Sequence, residues 1–392
     1  MKDGPVIVLC VVDYFLPGFQ GGGPIRTISN MRKQLAGSAD IAVFTRDRDL
    51  GSKVRYDAIQ ADTWTETEYG PIYYASHEEF GVKGLKKAMA SLVDCDLLYL
   101  NSFFGFRSAI QIYLWSRWQN RHLPILLAPR GEFSSGALAL KRIKKNMFLS
   151  LVRTLGLYSD IHWHASTEAE KDDILRCFPC ANIGLAEDPV EVDFDPSPFG
   201  RVSPSPSGQL RVSFISRISP MKNLDQLLQI LAGTSARIDL DIFGPIEDTE
   251  YWDRCQALVS DLPKNVNVSY EGALHPEKVS SAFAEYDLFA FPTHGENFGH
   301  VVFEALRAGT PVIISNRTPW QTQESGAILA IPLDETEIWR QELDKFAAMT
   351  VEQKSQRRDG AREFSHHYAR TSGTAARTVD LFVKAVGKLG KN

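Results

Sequence analysis

The sequence predicts an α/β protein built from two Rossmann-like halves joined by a linker. Three observations carry this. Short apolar runs alternate with amphipathic stretches, a Pro/Ser-rich stretch interrupts the rhythm near the middle, and the rhythm then restarts. A chain of 392 residues also exceeds what one typical core supports.

The elements follow in order. Residues 6–12, Val-Ile-Val-Leu-Cys-Val-Val, are apolar and stop at Asp13. They read as a buried first strand, too short to cross a membrane and without a signal cleavage pattern. Further strands are expected at 40–45, 97–101, 124–128 and 161–165, with helices at 25–35, 109–119 and 139–151 between them. Residues 188–208 contain five prolines (Pro189, Pro196, Pro198, Pro204, Pro206) and several serines, a composition that builds no core and reads as a linker. Beyond it come a strand at 211–216, a helix at 223–231, a strand at 237–243, a helix at 249–260, a strand at 266–270, a helix at 276–285 and an apolar strand at 287–291. A polar loop, a short helix closed by Gly309 and a strand ending at Ser315 follow. The expected domains are 1–187 and 209–371, with 188–208 between them. The segment 372–392 is expected to form a last helix, roughly 372–389, that packs back on the first domain. Open parallel sheets bind ligands beyond the carboxyl ends of their strands, so both halves would present loops to a shared cleft.

Composition narrows the function classes. Apolar residues at 44% and charged residues at 23% are ordinary for a soluble globular protein. The net charge is −5, with 22 Lys and Arg against 21 Asp and Glu in residues 1–190 and 21 against 27 in the rest. That balance argues against general nucleic-acid binding and leaves room for a local basic face on the first half. Five cysteines point to reduced thiols and a cytoplasmic setting. Cys177-Phe178-Pro179-Cys180 is a lone C-x-x-C and reads as structural thiols at a helix end. No apolar run approaches the ~18 residues of a membrane span, so the protein is expected to be soluble or at most peripheral to a membrane.

The richest stretch is Pro292-Thr293-His294-Gly295-Glu296-Asn297-Phe298-Gly299-His300, followed by Glu304. It places one carboxylate on a loop after a strand and another in the next helix, around a helix N-terminus that suits an anion. Glu296, Asn297 and the backbone of Phe298, Gly299 and His300 would line a sugar and its phosphates, and Gly299 leaves room for that approach. Glu304 would accept bonds from ribose hydroxyls. Arg217 and Lys222 follow the 211–216 strand and precede a helix, where fixed positive charge would meet a diphosphate. Gly21-Gly22-Gly23-Pro24 opens the first helix; Gly22 and Gly23 let backbone approach a ligand closely. The pattern is not G-x-G-x-x-G, so a dinucleotide cofactor is not expected. Gly244 and Leu274 lie where a nucleotide base would sit.

Other groups admit two readings. Arg130-Gly131-Glu132 ends a strand, and either orients acceptor hydroxyls or forms a local ion pair. Asn101, Phe103 and Phe104 either form an acceptor surface or pack as aromatics. Lys141, Arg142, Lys144, Lys145 and Arg153 intersperse with Leu138, Leu140, Ile143, Met147, Phe148, Leu149 and Leu151. This basic amphipathic helix suits an anionic membrane surface, an acceptor pyrophosphate or plain solvent. His162 and His164 flank Trp163 without a third metal ligand in view. The D-x-D strings at 47–49, 94–96, 193–195 and 239–241 are short enough to arise by chance, and no metal site is assigned.

Taken together, the glycine loop, Arg217 with Lys222, the segment 242–245 and the E-x7-E spacing of Glu296 and Glu304 resemble the retaining glycosyltransferases of family 4. The opening 14–20 and the segment 128–132 are similar to members that build bacterial surface polysaccharides. The resemblance implies a GT-B fold, a UDP- or GDP-sugar as co-substrate with no other cofactor, retention of anomeric configuration and no metal. It also implies a glycan or lipid-linked glycan acceptor, and agrees with peripheral contact with anionic inner-membrane lipids and no nucleic acid. By position, Arg217 and Lys222 resemble the diphosphate ligands, Glu304 the ribose ligand and Glu296 the donor-sugar glutamate. Asn297 and His300 depart from the usual Gly and small apolar residue. Arg130-Gly131-Glu132 stands where many members carry a donor-contacting histidine.

Overall fold

The computed structural model describes residues 4–57, 59–92, 94–119, 123–139, 141–192 and 203–387. The chain divides into two units, Met1–Val190 with Gly373–Asn392, and Glu191–Ser372.

In the first unit the strands are β1 (Val6–Val11), β2 (Ala39–Arg46), β3 (Trp64–Thr67), β4 (Gly70–Ala75), β5 (Leu97–Leu100), β6 (Ile125–Leu127), β7 (His162–Ala165) and β8 (Asn182–Leu185). They form one sheet in the order β3-β4-β2-β1-β5-β6-β7-β8. All neighbours are parallel except the β3–β4 hairpin. The central strands β1 and β5 are apolar on both faces because both faces are covered. Leu9 and Val11 join one buried cluster, and Val8, Cys10 and Val12 join the other. Side chains alternate across a strand, so one strand feeds two cores.

The last helix, Thr374–Gly387, belongs to this unit. Its Leu381, Phe382 and Ala385 sit in the cluster with Val8 and Cys10. Phe382 meets Tyr99 edge to face at 5.6 Å between ring centroids. Gly184 faces it, and a Cβ there would lie 2.2 Å from Leu381 Cδ1.

The second unit holds β9 (Gln209–Ile215), β10 (Arg237–Phe243), β11 (Val266–Gly272), β12 (Leu288–Phe291), β13 (Val312–Ser315) and β14 (Ile328–Ile331). The sheet runs β11-β10-β9-β12-β13-β14, parallel throughout. From β9 the chain winds outward to β10 and β11, then returns to the other side of β9 with β12. The gap between the loops leaving β9 and β12 is therefore the switch point of the sheet, the place where open α/β folds bind ligands.

The described ends of the 188–208 stretch are integral to the units. Asp188 and Val190 are buried in the first. In the second, Ser205 is buried, and its N–H and hydroxyl donate to the Asp287 carboxylate at 3.0 and 2.6 Å. Lys354 Nζ closes the same knot with a bond to Gln209 O at 2.6 Å. The prolines at 196 and 198 and the acids at 193 and 195 lie outside the described residues, as do Leu140 and residues 388–392. Among the described residues no helix is long and apolar enough to cross a membrane.

Candidate functional site

Lys222 and Glu296 meet at the switch point of the second sheet. Lys222 ends a short 3₁₀ turn, Pro220–Lys222, after β9. Glu296 stands in the loop after β12. Lys222 Nζ forms an ion pair with Glu296 Oε1, and both side chains are largely buried. The ammonium also lies 5.6 Å from the centroid of the Phe291 ring. The two loops are stitched together beneath this pair. Asn223 Nδ2 donates to Pro292 O at 2.8 Å, His294 N to Met221 O at 2.9 Å, and Thr293 Oγ1 to the same carbonyl at 3.1 Å. Asn223 takes a left-handed conformation to do so, with φ 61°, which Asn tolerates better than most residues. Glu296 N donates to Arg317 O at 3.2 Å, which ties the loop to the one after β13.

Gly299 caps helix His300–Ala308 at φ 81°, and no side chain caps that helix. A helix N-terminus without a side-chain cap is a favourable place for an anion. A Cβ on Gly299 would come 3.3 Å from Trp320 Nε1. Trp320 Nε1 donates to Phe298 O at 2.7 Å and packs on the Phe298 ring, so the indole sets the height of the loop. Glu304 is buried one turn into the helix. Asn297 and His300 are half-buried on either side of Phe298 and Gly299.

At the neighbouring strand end, Gly244 has φ 137°, and a Cβ there would overlap Ser216 O at 1.8 Å. Its N–H donates to Gly272 O and its carbonyl accepts from Tyr270 Oη, each at 2.8 Å. Leu274 is half-buried just beyond β11. Arg217 takes a different direction from Lys222. Its guanidinium pairs with Glu247 at 3.1 Å, with both side chains nearly half exposed. The cause is local: Ile218 bridges Ile246 and carries Arg217 toward the loop after β10. The expected cationic couple is thus two separate ion pairs.

In the first unit, Gly22 has φ 74° and precedes helix Gly23–Gln34, with Pro24 in its first turn. Asp49 fastens the approach to this loop, accepting from Phe19 N at 2.9 Å and Gln20 N at 3.1 Å. Three carboxylates of the other D-x-D strings are engaged as well. Asp96 accepts from Ile7 N at 3.1 Å, Asp239 from Gln209 and Asn267, and Asp241 from Tyr286 Oη.

The residues read either as an acceptor surface or as inward-packed groups are turned inward. Phe103 has no exposed surface and packs on Phe133, Tyr158 and Phe178. Glu132 accepts from Ser102 Oγ at 2.8 Å and from the N–H groups of Phe103 and Phe104 at 2.6 and 3.0 Å. Burial pushes its carboxyl above the usual range, against the pull of those donors. Arg130, at φ 55°, pairs with Asp188 at 2.5 Å and donates to Tyr99 Oη and Asn101 Oδ1 at 2.7 and 2.8 Å. Asn101 in turn donates to Cys10 Sγ at 3.2 Å. Burial disfavours the Arg130 charge, yet Asp188, Tyr99 and Glu170 hold its pKa above the ordinary value. Arg130 after β6 and Asp188 after β8 satisfy each other inside the unit because the interior leaves them no water.

Residues 199–323 match the family Glycosyl transferases group 1. The matched stretch lies in the second unit. The matched stretch holds Arg217, Lys222, Gly244, Leu274, Glu296 and Glu304. The chain is 28% identical over 169 residues to a D-inositol 3-phosphate glycosyltransferase of Nocardia farcinica, covering 41% of this chain and 37% of that protein. It is 35% identical over 109 residues to a GDP-mannose-dependent alpha-mannosyltransferase of Mycobacterium tuberculosis, covering 28% and 26%. The chain therefore spans well under half the length of these curated relatives. Among solved structures, HepE of Anabaena in complex with UDP and glucose aligns with a TM-score of 0.70 at 15% identity, covering 97% of this chain and all of that one. Sucrose-phosphate synthase of Thermosynechococcus elongatus aligns with a TM-score of 0.71 at 17% identity, covering 98% and 100%. The fold is GT-B.

Three supports within the matched stretch escaped the sequence reading. Trp320 holds the Phe298 carbonyl, Asn223 joins the two site loops, and Glu247 takes Arg217. Asn223 sits between a Lys and an apolar helix in the manner of a cap, a signal that could have exposed it. Trp320, far along the chain in a polar stretch, gave none.

Proposed function

We propose that the protein is a retaining glycosyltransferase that moves a hexose from a UDP- or GDP-sugar to a hydroxyl of a glycan acceptor. The observation that carries this reading is the Lys222–Glu296 pair at the switch point, in front of an uncapped helix N-terminus and within a group 1 domain.

Cleavage of the sugar–phosphate bond places negative charge on the leaving diphosphate. Lys222 and the first N–H groups of helix His300–Ala308 would stabilise that charge, with Arg217 joining once it releases Glu247. Glu296 would orient the sugar hydroxyls and support the oxocarbenium-like state. The buried Glu304 would hold the ribose, and the loops at Gly244 and Leu274 would border the base. The acceptor hydroxyl would give its proton to a phosphate oxygen on the face the diphosphate leaves, which keeps the anomeric configuration. With cations and N–H groups in this role, the reaction is proposed to need no divalent metal. The similarity of residues 14–20 and 128–132 to surface-polysaccharide enzymes favours a lipid-linked acceptor.

The test has two parts. A thermal-shift screen with UDP, GDP, ADP and CMP should single out UDP or GDP, unchanged by EDTA. Acceptor-dependent release of the nucleotide should then fall roughly a hundredfold or more in Lys222→Ala, with an unchanged far-ultraviolet circular dichroism spectrum. Full turnover in that variant removes Lys222 from the mechanism. Sugar conversion without an acceptor would instead mark an epimerase, and a need for free phosphate a phosphorylase. Nucleotide binding without turnover would mark a binding module.

A further inference from the structure

The first unit carries a surface that the glycosyl-transfer reading does not use. Helix Arg142–Thr154 buries only Leu149 and Val152. The opposite side is apolar and faces solvent: Ile143 is 76% exposed, Met147 69%, Leu151 57% and, just past the helix end, Leu155 60%. A spacing of four keeps these side chains on one broad stripe. Trp118 is 87% exposed and belongs to the same region. Its neighbour Arg117 pairs with Asp160, and Tyr113 of the Trp118 helix stacks on Tyr158 at 3.9 Å.

Charge is segregated in the same way. Residues 97–159 contain nine Lys and Arg, of which Arg130 is buried against Asp188, and a single acid, Glu132, in a chain whose net charge is −5. That acid is turned inward, onto Ser102, Phe103 and Phe104. Lys141, Arg142, Lys144 and Arg153 are exposed beside the apolar stripe. A solvated helix face would place charge, not Ile, Met and Leu, at its outermost positions. A nucleic-acid face would match the cations but offer nothing to the apolar stripe. A bilayer of anionic phospholipid satisfies both, with headgroups for the cations and acyl chains for the stripe.

We propose that helix Arg142–Thr154, continued by Leu155 and Trp118, docks the protein on an anionic lipid surface. The helix lies in the interface with Ile143, Met147 and Leu151 inserted and the lysines and arginines at headgroup level. This proposal goes beyond the proposed transfer reaction and stands independently of it.

Co-sedimentation of the full chain with vesicles tests it. Binding is expected to phosphatidylcholine vesicles containing phosphatidylglycerol, with weak binding to phosphatidylcholine alone and weakening as salt rises. Two triple variants separate the contributions: Ile143→Ser/Met147→Ser/Leu151→Ser, and Lys141→Gln/Arg142→Gln/Lys144→Gln. Each should lower partitioning about tenfold or more. The altered positions are exposed, so thermal unfolding and nucleotide-induced stabilisation should match the parent in both. Failure to bind anionic vesicles at low salt, or equal binding by either variant, overturns the proposal. So does light scattering that shows a dimer abolished by the serine variant, because the stripe would then be covered by a second copy. Loss of lipid binding with nucleotide response intact would leave the transfer reading untouched, and the converse would leave the docking face untouched.

Discussion

His164 illustrates how a single buried group couples the first unit to pH. It is 1% exposed, its Nε2 bonds to Ala186 O at 2.8 Å, and its Nδ1 meets Tyr99 Oη at 2.6 Å. With Nε2 donating, Nδ1 accepts from the tyrosine, which fixes a neutral ring. Burial, reinforced by the Arg130 charge, lowers its pKa from 6.5 to about 4. The unfolded chain therefore binds a proton on this ring that the folded chain refuses. Stability is full above about pH 6.5 and declines as pH falls toward about 4, by up to about 3 kcal/mol from this group. In His164→Asn the loss of stability over that window should flatten, as read from urea midpoints across pH. An unchanged slope would assign acid sensitivity to other groups. The sequence showed His162 and His164 on one face of a strand but not their partners. Tyr99, Ala186 and Arg130 reach His164 only through strand order and folding, which a linear pattern does not encode.

At the scale of the element, the loops after β9, β10 and β12 show what sequence reading reaches. Glycine, charge and strand-end position were all visible: Gly244, Gly299, Lys222 and Glu296 lie where the alternation placed them. The pairing was not. Lys222 and Glu296 are 74 residues apart and meet because β12 returns beside β9. Arg217 leaves its expected companion because a bridge to the β10 loop offers Glu247 first. The β3–β4 hairpin also escaped, since Trp64–Thr67 is short and flanked by charge, and so did β14 at Ile328–Ile331. Gly244 gives the prediction proper to this level. Its backbone angle and the 1.8 Å approach of Ser216 O leave no space for a methyl group. Gly244→Ala should destabilise the second unit by about 3 kcal/mol or more, measured by chemical denaturation. It should also weaken nucleotide binding in whatever fraction folds. Gly272→Ala, where nothing lies within 4 Å of the new atom, meets only the backbone cost of φ 78° and should be milder.

At the scale of the whole molecule, the second unit is one continuous stretch, whereas the first needs helix Thr374–Gly387 to cover β5, β6 and β8. Ending the chain after Ser372 uncovers the apolar cluster around Val8, Cys10 and Tyr99. The first unit should then lose its cooperative transition, while the second keeps its own together with nucleotide-induced stabilisation. Differential scanning calorimetry distinguishes the two, and a first unit that melts unchanged would show the helix to be dispensable. The milder Phe382→Ala should cost about 3–5 kcal/mol in that same transition. A ribosome makes the first sheet early and this helix only after the entire second unit has emerged. The half of the protein synthesised first is consequently the half completed last. Throughout elongation its open core, with eight strands and an uncovered face, waits on residues still to be translated, which makes it the natural client for a chaperone.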